Sequence, residues 1–252
     1  MRPEKPRVVC ISQARMESTR LPGKVLADIA GEPVLRRVWD RLKRASSLAD
    51  VVLALPDTVA NDDLAAACRT WGARVFRGAL DDVLARYLGA AAEAGADVVV
   101  RVTSDCPFVD PDVVDAVVRR LLSDRSLDYA SNNLRREWPL GLDVEAVWFD
   151  VLARAGAEAT APGEREHVTP YIYNRAAEFR LAYLEAPEWA QRPDYRLTVD
   201  EADDLELARA IYAVLGSDCR ARDVVEYLDA NPALVELNAH VAHKTVARPT
   251  SW

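Results

Sequence analysis

The chain has few of the features that mark several large classes of protein. Its net charge is −8, whereas a general nucleic-acid binder needs a basic face for the phosphate backbone. No apolar run approaches the roughly 18 residues that a membrane span requires. The first residues are not followed by the hydrophobic segment of a signal peptide. We therefore expect a cytoplasmic protein that binds neither nucleic acid nor membrane.

Cysteine and glycine are also scarce. The four cysteines form no Cys-x-x-Cys pair, and their scatter favours reduced, individually buried thiols over a disulfide framework or a zinc site. The loop after the first apolar run holds one glycine, Gly23, where a dinucleotide-binding fingerprint needs three. A Walker A loop is excluded as well, because Ser18 stands where its first Gly is required and Val25 follows Lys24.

Short apolar runs alternate with amphipathic stretches through the first half of the chain. The apolar runs predict four buried strands, at 8–11, 50–55, 72–76 and 97–103. Apolar residues at helical spacing predict the helices between them. Repeated βαβ units of this kind imply an α/β fold with a mainly parallel, doubly wound sheet and right-handed crossovers. We expect residues 1–252 to form a single domain.

The alternation loosens in the middle of the chain. We expect two strands, at 143–149 and 180–184, and a helix at 164–174, in which Pro170 would have to lie near the start or produce a kink. A small subdomain that covers the substrate or forms a dimer would be inserted here, at about 130–190. Residues 196–200 predict a return to a core strand, and residues 202–215 predict a helix after it.

Positive charge is concentrated in the loop after the first strand. Arg15, Arg20 and Lys24 lie in this loop with only Glu17 against them, and Ser18 adds a hydroxyl donor. Ligands of open α/β sheets bind just beyond the carboxyl ends of the strands. Three cations with backbone N–H groups at that place suit a polyphosphate. The alternative is a solvated basic surface loop.

An acidic residue follows the fourth predicted strand. Asp105 precedes a proline turn, and a carboxylate there can hold Mg²⁺, which in turn bridges nucleotide phosphates. The alternative is that Asp105 caps the next helix. Asp110 is the better cap candidate because Pro111 follows it, and proline favours the first position of a helix.

A second acidic residue, Asp200, ends the predicted strand at 196–200. It is also the natural N-cap of the next helix, with Asp203 at the third helical position, so capping and function compete here. We expect Asp203 and Asp204 to be solvated helix residues.

Two carboxylates in the middle of the chain, Asp143 and Glu145, share one face if they lie on a strand. Adjacent carboxylates repel each other unless they bind hydroxyls or a cation, so sugar hydroxyls or Arg165 would suit them. The alternative is an exposed polar strand edge. Near them, His167 is a structural residue or a general base, and we expect its acidic flanks, Glu164 and Glu166, to raise its pKa.

Residues 14–24, Ala-Arg-Met-Glu-Ser-Thr-Arg-Leu-Pro-Gly-Lys, resemble the signature loop of sugar nucleotidyltransferases. The loop is most similar to that of the cytidylyltransferase-like family named after spore-coat polysaccharide biosynthesis. This family is related to the synthetases of CMP-activated ulosonic and sialic acids. Its loop usually has Gly where this chain has Glu17. The resemblance extends from Val8 to about Val241.

The resemblance implies a Rossmann-like fold of the nucleotide-diphospho-sugar transferase type, CTP as donor, an acidic sugar or related acceptor, and a homodimer. It also implies a Mg²⁺ ion held by Asp105 and Asp200. We expect the catalytic residues to be Arg15, Lys24, Asp105 and Asp200, with His167 as the candidate base. We expect the substrates to contact Ala14, Ser18, Arg20, Arg77, Arg101, Asp143, Glu145 and Arg196.

The residues together suggest nucleotidyl transfer, in which an acceptor oxygen attacks the α-phosphorus of a nucleotide and pyrophosphate leaves. One rival function is that of a metal-dependent glycosyltransferase that uses a nucleotide sugar. Such enzymes usually have an Asp-x-Asp pair, and none follows the fourth strand. The other rival is a non-catalytic nucleotide-binding subunit, for which Glu17 in place of Gly is the main argument.

Overall fold

Seven strands of the described chain form one sheet, and short helices flank it. A computed structural model describes residues 2–242. Its strands are β1 (Val8–Gln13), β2 (Asp28–Ile29), β3 (Glu32–Pro33), β4 (Asp50–Pro56), β5 (Arg74–Gly78), β6 (Val98–Arg101), β7 (Tyr129–Ser131), β8 (Glu145–Trp148) and β9 (Leu181–Tyr183). Its helices are α1 (Val34–Leu42), α2 (Asp62–Thr70), α3 (Val83–Ala94), α4 (Pro111–Leu122), α5 (Phe149–Glu158), α6 (Pro162–His167), α7 (Pro170–Tyr173), α8 (Ala202–Leu215), α9 (Ala221–Ala230) and α10 (Pro232–Val235).

The strand order of the large sheet is β5-β4-β1-β6-β8-β7-β9. β1 runs parallel to both β4 and β6, β4 runs parallel to β5, and β7 runs parallel to β9. β8 is antiparallel to its two neighbours, β6 and β7. A mainly parallel α/β sheet is therefore confirmed. Strands β2 and β3, which the sequence did not predict, form a separate two-stranded hairpin.

The central strands are apolar on both faces. Val9, Cys10 and Ile11 of β1 and Val98–Val100 of β6 have no exposed surface. This pattern is typical of strands covered by helices on both sides. All four cysteines are buried free thiols, as the sequence predicted.

The predicted core strand at 196–200 is wrong. This segment bends at Thr198 and Asp200 and makes one isolated parallel bridge, between Leu140 and Arg196. Its backbone bonds go to loops, since Leu197 N–H donates to Leu140 O at 2.7 Å and Val199 N–H donates to Asp105 O at 2.8 Å. The turn at Gly141 (φ 102°) approaches so closely that a Cβ there would lie 2.6 Å from the carbonyl carbon of Leu197. A glycine is therefore required at this turn.

The predicted helix at 164–174 is two short helices, α6 and α7. Val168, between them, has a positive φ of 75°, and Pro170 is the first residue of α7. Proline has no backbone N–H to donate and fits best at the first position of a helix. Pro170 therefore starts a new helix, α7, instead of continuing α6.

Residues 129–183 supply three strands of the central sheet, β7, β8 and β9, together with α5, α6 and α7. The role of the 130–190 region as an acceptor-binding or dimerisation subdomain remains a prediction. Among residues 2–242, no helix is both long enough and apolar enough to cross a membrane.

Candidate active site

A cavity of about 710 Å³ lies where β1 and β6 end. It is lined by the loop that follows β1, residues 103–105 after β6, residues 80–83 and Arg86 at the start of α3, the helix α6, and Asp200. The carboxyl ends of parallel strands meet at one edge of a sheet, and this geometry brings the loops together.

Hydrogen bonds tie the ends of the two strands to each other. The hydroxyls of Ser12 and Ser104 are 2.8 Å apart, and the Ser104 hydroxyl also donates to the carbonyl of Gln13. The buried Tyr87 hydroxyl donates to the carbonyl of Ile11 at 3.0 Å and to the side chain of Gln13. The floor of the cavity is therefore fixed before any ligand binds.

The basic loop is held by a buried residue that the sequence did not single out. Asn61 has no exposed surface. Its Oδ1 accepts the N–H of Met16 at 2.9 Å, and its Nδ2 donates to the two carboxylate oxygens of Glu17 at 3.1 and 3.0 Å. Gly23, with φ 69°, closes the loop by donating to the carbonyl of Met16 at 3.2 Å.

Lys24 connects the two aspartates of the predicted metal site. Its Nζ donates to Asp105 Oδ2 at 2.7 Å, to Asp200 Oδ1 at 2.7 Å and to the carbonyl of Val199 at 2.9 Å. Burial lowers the pKa of Lys24, but the two carboxylates outweigh burial and raise it above its usual value. Burial raises the pKa of Asp105, but the Lys24 ammonium outweighs it and brings the pKa to about 2.

The other loop cations differ in their contacts. Arg20 lies 3.1 Å from Asp200 Oδ2 and donates to Glu201 at 3.1 Å. Arg15 is exposed and, within residues 2–242, has no carboxylate within 4.0 Å. Arg15 is therefore the loop cation that can accept an anion without breaking an ion pair.

Arg196 lies behind Asp200, outside the cavity lining. Its NH2 donates to Asp200 Oδ2 at 2.8 Å, and its Nε donates to the fully buried side chain of Asp204 at 2.8 Å. The expectation that Asp204 is solvated is therefore wrong. Asp204 also accepts the backbone N–H groups of Asp200 and Glu201, at 2.9 and 3.0 Å.

The N-cap of α8 is Glu201, with Asp204 at the third helical position, so the cap predicted at Asp200 is wrong by one residue. Because Glu201 takes the capping position, the Asp200 carboxylate is left to face the cavity. Asp203 is half-exposed and lies 3.1 Å from His240, as expected for a solvated helix residue.

His167 ends α6 and lines the cavity. Burial lowers its pKa below the usual value, and the opposing effect of Glu166 is smaller. The predicted increase is therefore wrong, partly because Glu164 pairs instead with Arg175 at 2.7 Å. The imidazole is neutral at pH 7 and can accept a proton.

Besides Arg196, four residues predicted to bind substrate do not line the cavity. Arg101 and Glu145 form a buried ion pair of 2.6 Å. Asp143 precedes β8 and pairs with Arg136 at 2.9 Å. Arg77, on the edge strand β5, pairs with Asp62 and Asp57.

Glu145 lies in a buried polar cluster. Its carboxylate also accepts the Tyr129 hydroxyl at 2.9 Å and the Thr169 hydroxyl. These contacts connect β7, β8 and the start of α7. The predicted arrangement, with Asp143 and Glu145 side by side on one strand face, is not formed because β8 begins at Glu145.

Three cavity residues were missed as site candidates. Arg165 donates to the Asp82 carboxylate at 2.8 and 2.6 Å and so joins α6 to the N-terminus of α3. Asp82 caps α3 by accepting the N–H of Ala85 at 2.9 Å. Arg86 is buried, and its Nε has no hydrogen-bond partner in the described part of the chain.

The carboxylate oxygens around the Lys24 ammonium are suitable ligands for a hard divalent cation that also binds substrate. Asp105 and Asp200 each provide a carboxylate oxygen at 2.7 Å from one cation position, that of Lys24 Nζ. Mg²⁺ commonly takes one or two carboxylates and completes its shell with water and substrate phosphates. Residues 2–242 contain no cluster of three or more acidic, cysteine or histidine side chains that could form an all-protein cage.

Comparisons with known proteins agree with the resemblance of the loop. A family model described as cytidylyltransferase matches residues 9–231. The chain is 35% identical to the spore coat polysaccharide biosynthesis protein SpsF of Bacillus subtilis, over 89% of this chain and 95% of that protein. It is 37% identical to the 3-deoxy-manno-octulosonate cytidylyltransferase of Geobacter sulfurreducens, over 86% and 90% of the two chains.

A solved structure of a cytidylyltransferase from Leptospira borgpetersenii is also similar. It is 30% identical and superposes with a TM-score of 0.87, covering 94% of this chain and 100% of the other. The predicted fold type is confirmed by this match. On the family match and these similarities over most of its length, the chain belongs to the cytidylyltransferase family.

Proposed function

We propose that the protein transfers CMP from CTP to an acidic sugar or a related acceptor and releases pyrophosphate. The observation that carries this proposal is the meeting of Asp105, Asp200 and Lys24 within hydrogen-bonding distance in a cavity lined by a basic loop. Family membership supports CTP as the donor, and the two curated relatives support a sugar product.

The basic loop binds the β- and γ-phosphates in this proposal. Arg15 is free to approach an anion, while Arg20 reaches the phosphates from its position beside Asp200. Positive charge that is already in place stabilises the leaving pyrophosphate without reorganisation during the reaction. The hydrogen bonds of Met16 and Glu17 with Asn61 hold the loop in position at the cavity.

Asp105 and Asp200 are the residues that would hold Mg²⁺. When bound, the ion neutralises charge on the phosphates of the nucleotide. Arg196 fixes the Asp200 carboxylate from behind by a 2.8 Å hydrogen bond, and Asp204 in turn fixes Arg196. The pKa of Asp105, about 2, keeps this carboxylate ionised at every pH at which the enzyme is expected to work.

The wall formed by α6 is the proposed acceptor side. His167 is neutral there and accepts the proton of an attacking sugar hydroxyl. A phosphorylated acceptor is already ionised and needs no base. Relation to the CMP-ulosonic acid synthetases also favours a homodimer through residues 130–190, which light scattering after size-exclusion chromatography would check. We place the reaction in the cytoplasm, where CTP is available.

Measurement of the released phosphate species tests the proposal. The protein is mixed with Mg²⁺ and a panel of acidic sugars, sugar phosphates and phosphonates, together with each of the four nucleoside triphosphates or, in a separate series, with a nucleotide sugar. Pyrophosphate release that requires CTP and one acceptor class supports the proposal. Release of a nucleoside diphosphate from a nucleotide sugar would indicate a glycosyltransferase instead. Nucleotide binding without any product would indicate a non-catalytic subunit.

A further inference from the structure

The ammonium group of Lys24 has no donor left for a phosphate. A lysine ammonium has three N–H donors. All three are used, at 2.7 Å to Asp105, 2.7 Å to Asp200 and 2.9 Å to the carbonyl of Val199. The Lys24 side chain is 13% exposed, so it is held inside the protein.

In the proposed reaction, Lys24 and Mg²⁺ would both need the carboxylates of Asp105 and Asp200. Lys24 is expected to bind nucleotide phosphate, and the two aspartates are expected to bind Mg²⁺. The position between the carboxylates is filled by the lysine itself, and two cations cannot occupy it together. One of them must therefore leave when the other arrives.

We propose that Lys24 and the divalent cation exchange at this position. Lys24 neutralises Asp105 and Asp200 in the nucleotide-free protein, and it moves to the phosphates when the metal-nucleotide complex enters. This inference rests on the proposed function. The four-carbon stem of lysine gives the ammonium the reach for such a movement.

The exchange avoids an unfavourable intermediate state. A buried carboxylate that loses its partner is strongly destabilising. In the exchange, each carboxylate always faces a cation, while Arg196 and Arg20 stay on the other oxygen of Asp200. The metal and the nucleotide phosphates arrive together, so Lys24 also has an anion to move to.

The exchange has a consequence for metal binding. Free metal ions must compete with an ammonium that is tethered to the same chain and is therefore present at high effective concentration. We expect the nucleotide-free protein to bind divalent cations weakly, and nucleotide to strengthen this binding, because it provides the new partner of Lys24.

Binding of Mn²⁺ without nucleotide tests the exchange. Lys24→Met keeps the length of the side chain and removes its charge. The dissociation constant for Mn²⁺, measured by electron paramagnetic resonance of the free ion, should be at least about tenfold lower in Lys24→Met than in the wild type. Arg222→Met is the matched control, because it removes an exposed cation that pairs with Glu226 outside the cavity, and it should bind Mn²⁺ like the wild type.

A second readout follows the folded protein directly. Mg²⁺ should raise the melting temperature of Lys24→Met clearly more than that of the wild type. Addition of Asp105→Asn to Lys24→Met should abolish both the Mn²⁺ binding and the increase in melting temperature. If Lys24→Met does not fold, Lys24→Gln, which keeps an N–H donor between the carboxylates, replaces it.

Two results would overturn the exchange. If Lys24→Met binds Mn²⁺ no more tightly than the wild type, while the wild type with CTP does bind it, the exchange is wrong and the proposed metal-dependent function stands. If neither protein binds Mn²⁺ with or without CTP, and pyrophosphate release persists in a chelator, both the exchange and the proposed metal site are wrong.

Discussion

Asn61 donates its side-chain N–H groups to both carboxylate oxygens of Glu17, at 3.1 and 3.0 Å. The same side chain accepts the backbone N–H of Met16. Glu17 stands where the loop of the resembled family usually has glycine, and its carboxylate takes a partner outside the loop. The departure from the family pattern therefore adds an anchor to the loop.

Asn61→Ala should loosen the loop and weaken CTP binding. It removes an acceptor from the N–H of Met16 and a donor from Glu17, and an unsatisfied buried group costs about 1–3 kcal/mol. We expect a higher KM for CTP and a lower free energy of unfolding in urea. Glu17→Gln keeps an oxygen acceptor and should resemble the wild type. A wild-type KM in Asn61→Ala would show that the anchor does not position the loop.

Asp105→Asn and Asp200→Asn should each reduce turnover by at least about 10²-fold, because each removes a charge from the proposed metal site. Pyrophosphate release measures the turnover, and circular dichroism checks the fold. Asp203→Asn is the matched control, since Asp203 is half-exposed on the same helix as Asp204 and lies beside His240. Turnover close to that of the wild type in either test variant would remove that residue from the site.

Arg20→Ala should mainly weaken nucleotide binding. A hydrogen bond between charged groups contributes about 1.5–3 kcal/mol, so the dissociation constant for CTP should rise by about tenfold or more. Isothermal titration calorimetry gives this constant. Arg222→Ala is the control, because Arg222 is exposed and pairs with Glu226 on the surface helix α9. An unchanged affinity in Arg20→Ala would mean that the basic loop does not hold the phosphates.

The pH dependence of the rate tests His167 as the base. The pKa of His167 in the folded protein is lowered. The imidazole therefore stays neutral and active down to about pH 6.5, the usual pKa of histidine, and the rate drops only below that pH. The same shift affects stability, because the contribution of neutral His167 is complete above about pH 6.5 and is lost as the pH falls through the lowered pKa. His167→Gln should lower the rate by about 10²-fold or more and remove this acidic limb. His240→Gln, on the surface, should keep it.

Arg196→Met should destabilise the protein, because it leaves the fully buried Asp204 carboxylate without its ionic partner. Breaking a buried ion pair from one side costs about 3–5 kcal/mol. Urea unfolding measures the loss. Arg192→Met, which breaks a half-exposed pair with Asp229, should cost at most about 1 kcal/mol. Equal losses in the two variants would contradict a special role for the Arg196–Asp204 pair.

The location of the site followed from the sequence for a simple physical reason. β1 and β6 are apolar on both faces, so their length and their ends were visible as apolar runs. Parallel strands bring those ends to one edge, and the basic loop and Asp105 lie directly after them. The strand order and the chain positions alone therefore bring the basic loop and Asp105 near each other.

The contacts within the site could not be predicted in this way. Lys24 meets Asp200 across 176 residues of chain, a pairing that no local spacing records. The burial of Asp204 depends on Arg196 and on Asn238, which donates to it at 2.8 Å from after α10. The short strand β7 was missed because three residues are too few for a periodicity.

The glycine at position 141 limits how this enzyme can change during evolution. Its turn touches the backbone at Leu197 and is bridged to Arg196, which in turn holds Asp200. An insertion or a bulkier residue in this turn would displace the Asp200 carboxylate of the proposed metal site. Divergence towards new acceptors should therefore leave this turn unchanged and accumulate on the far wall, around α6.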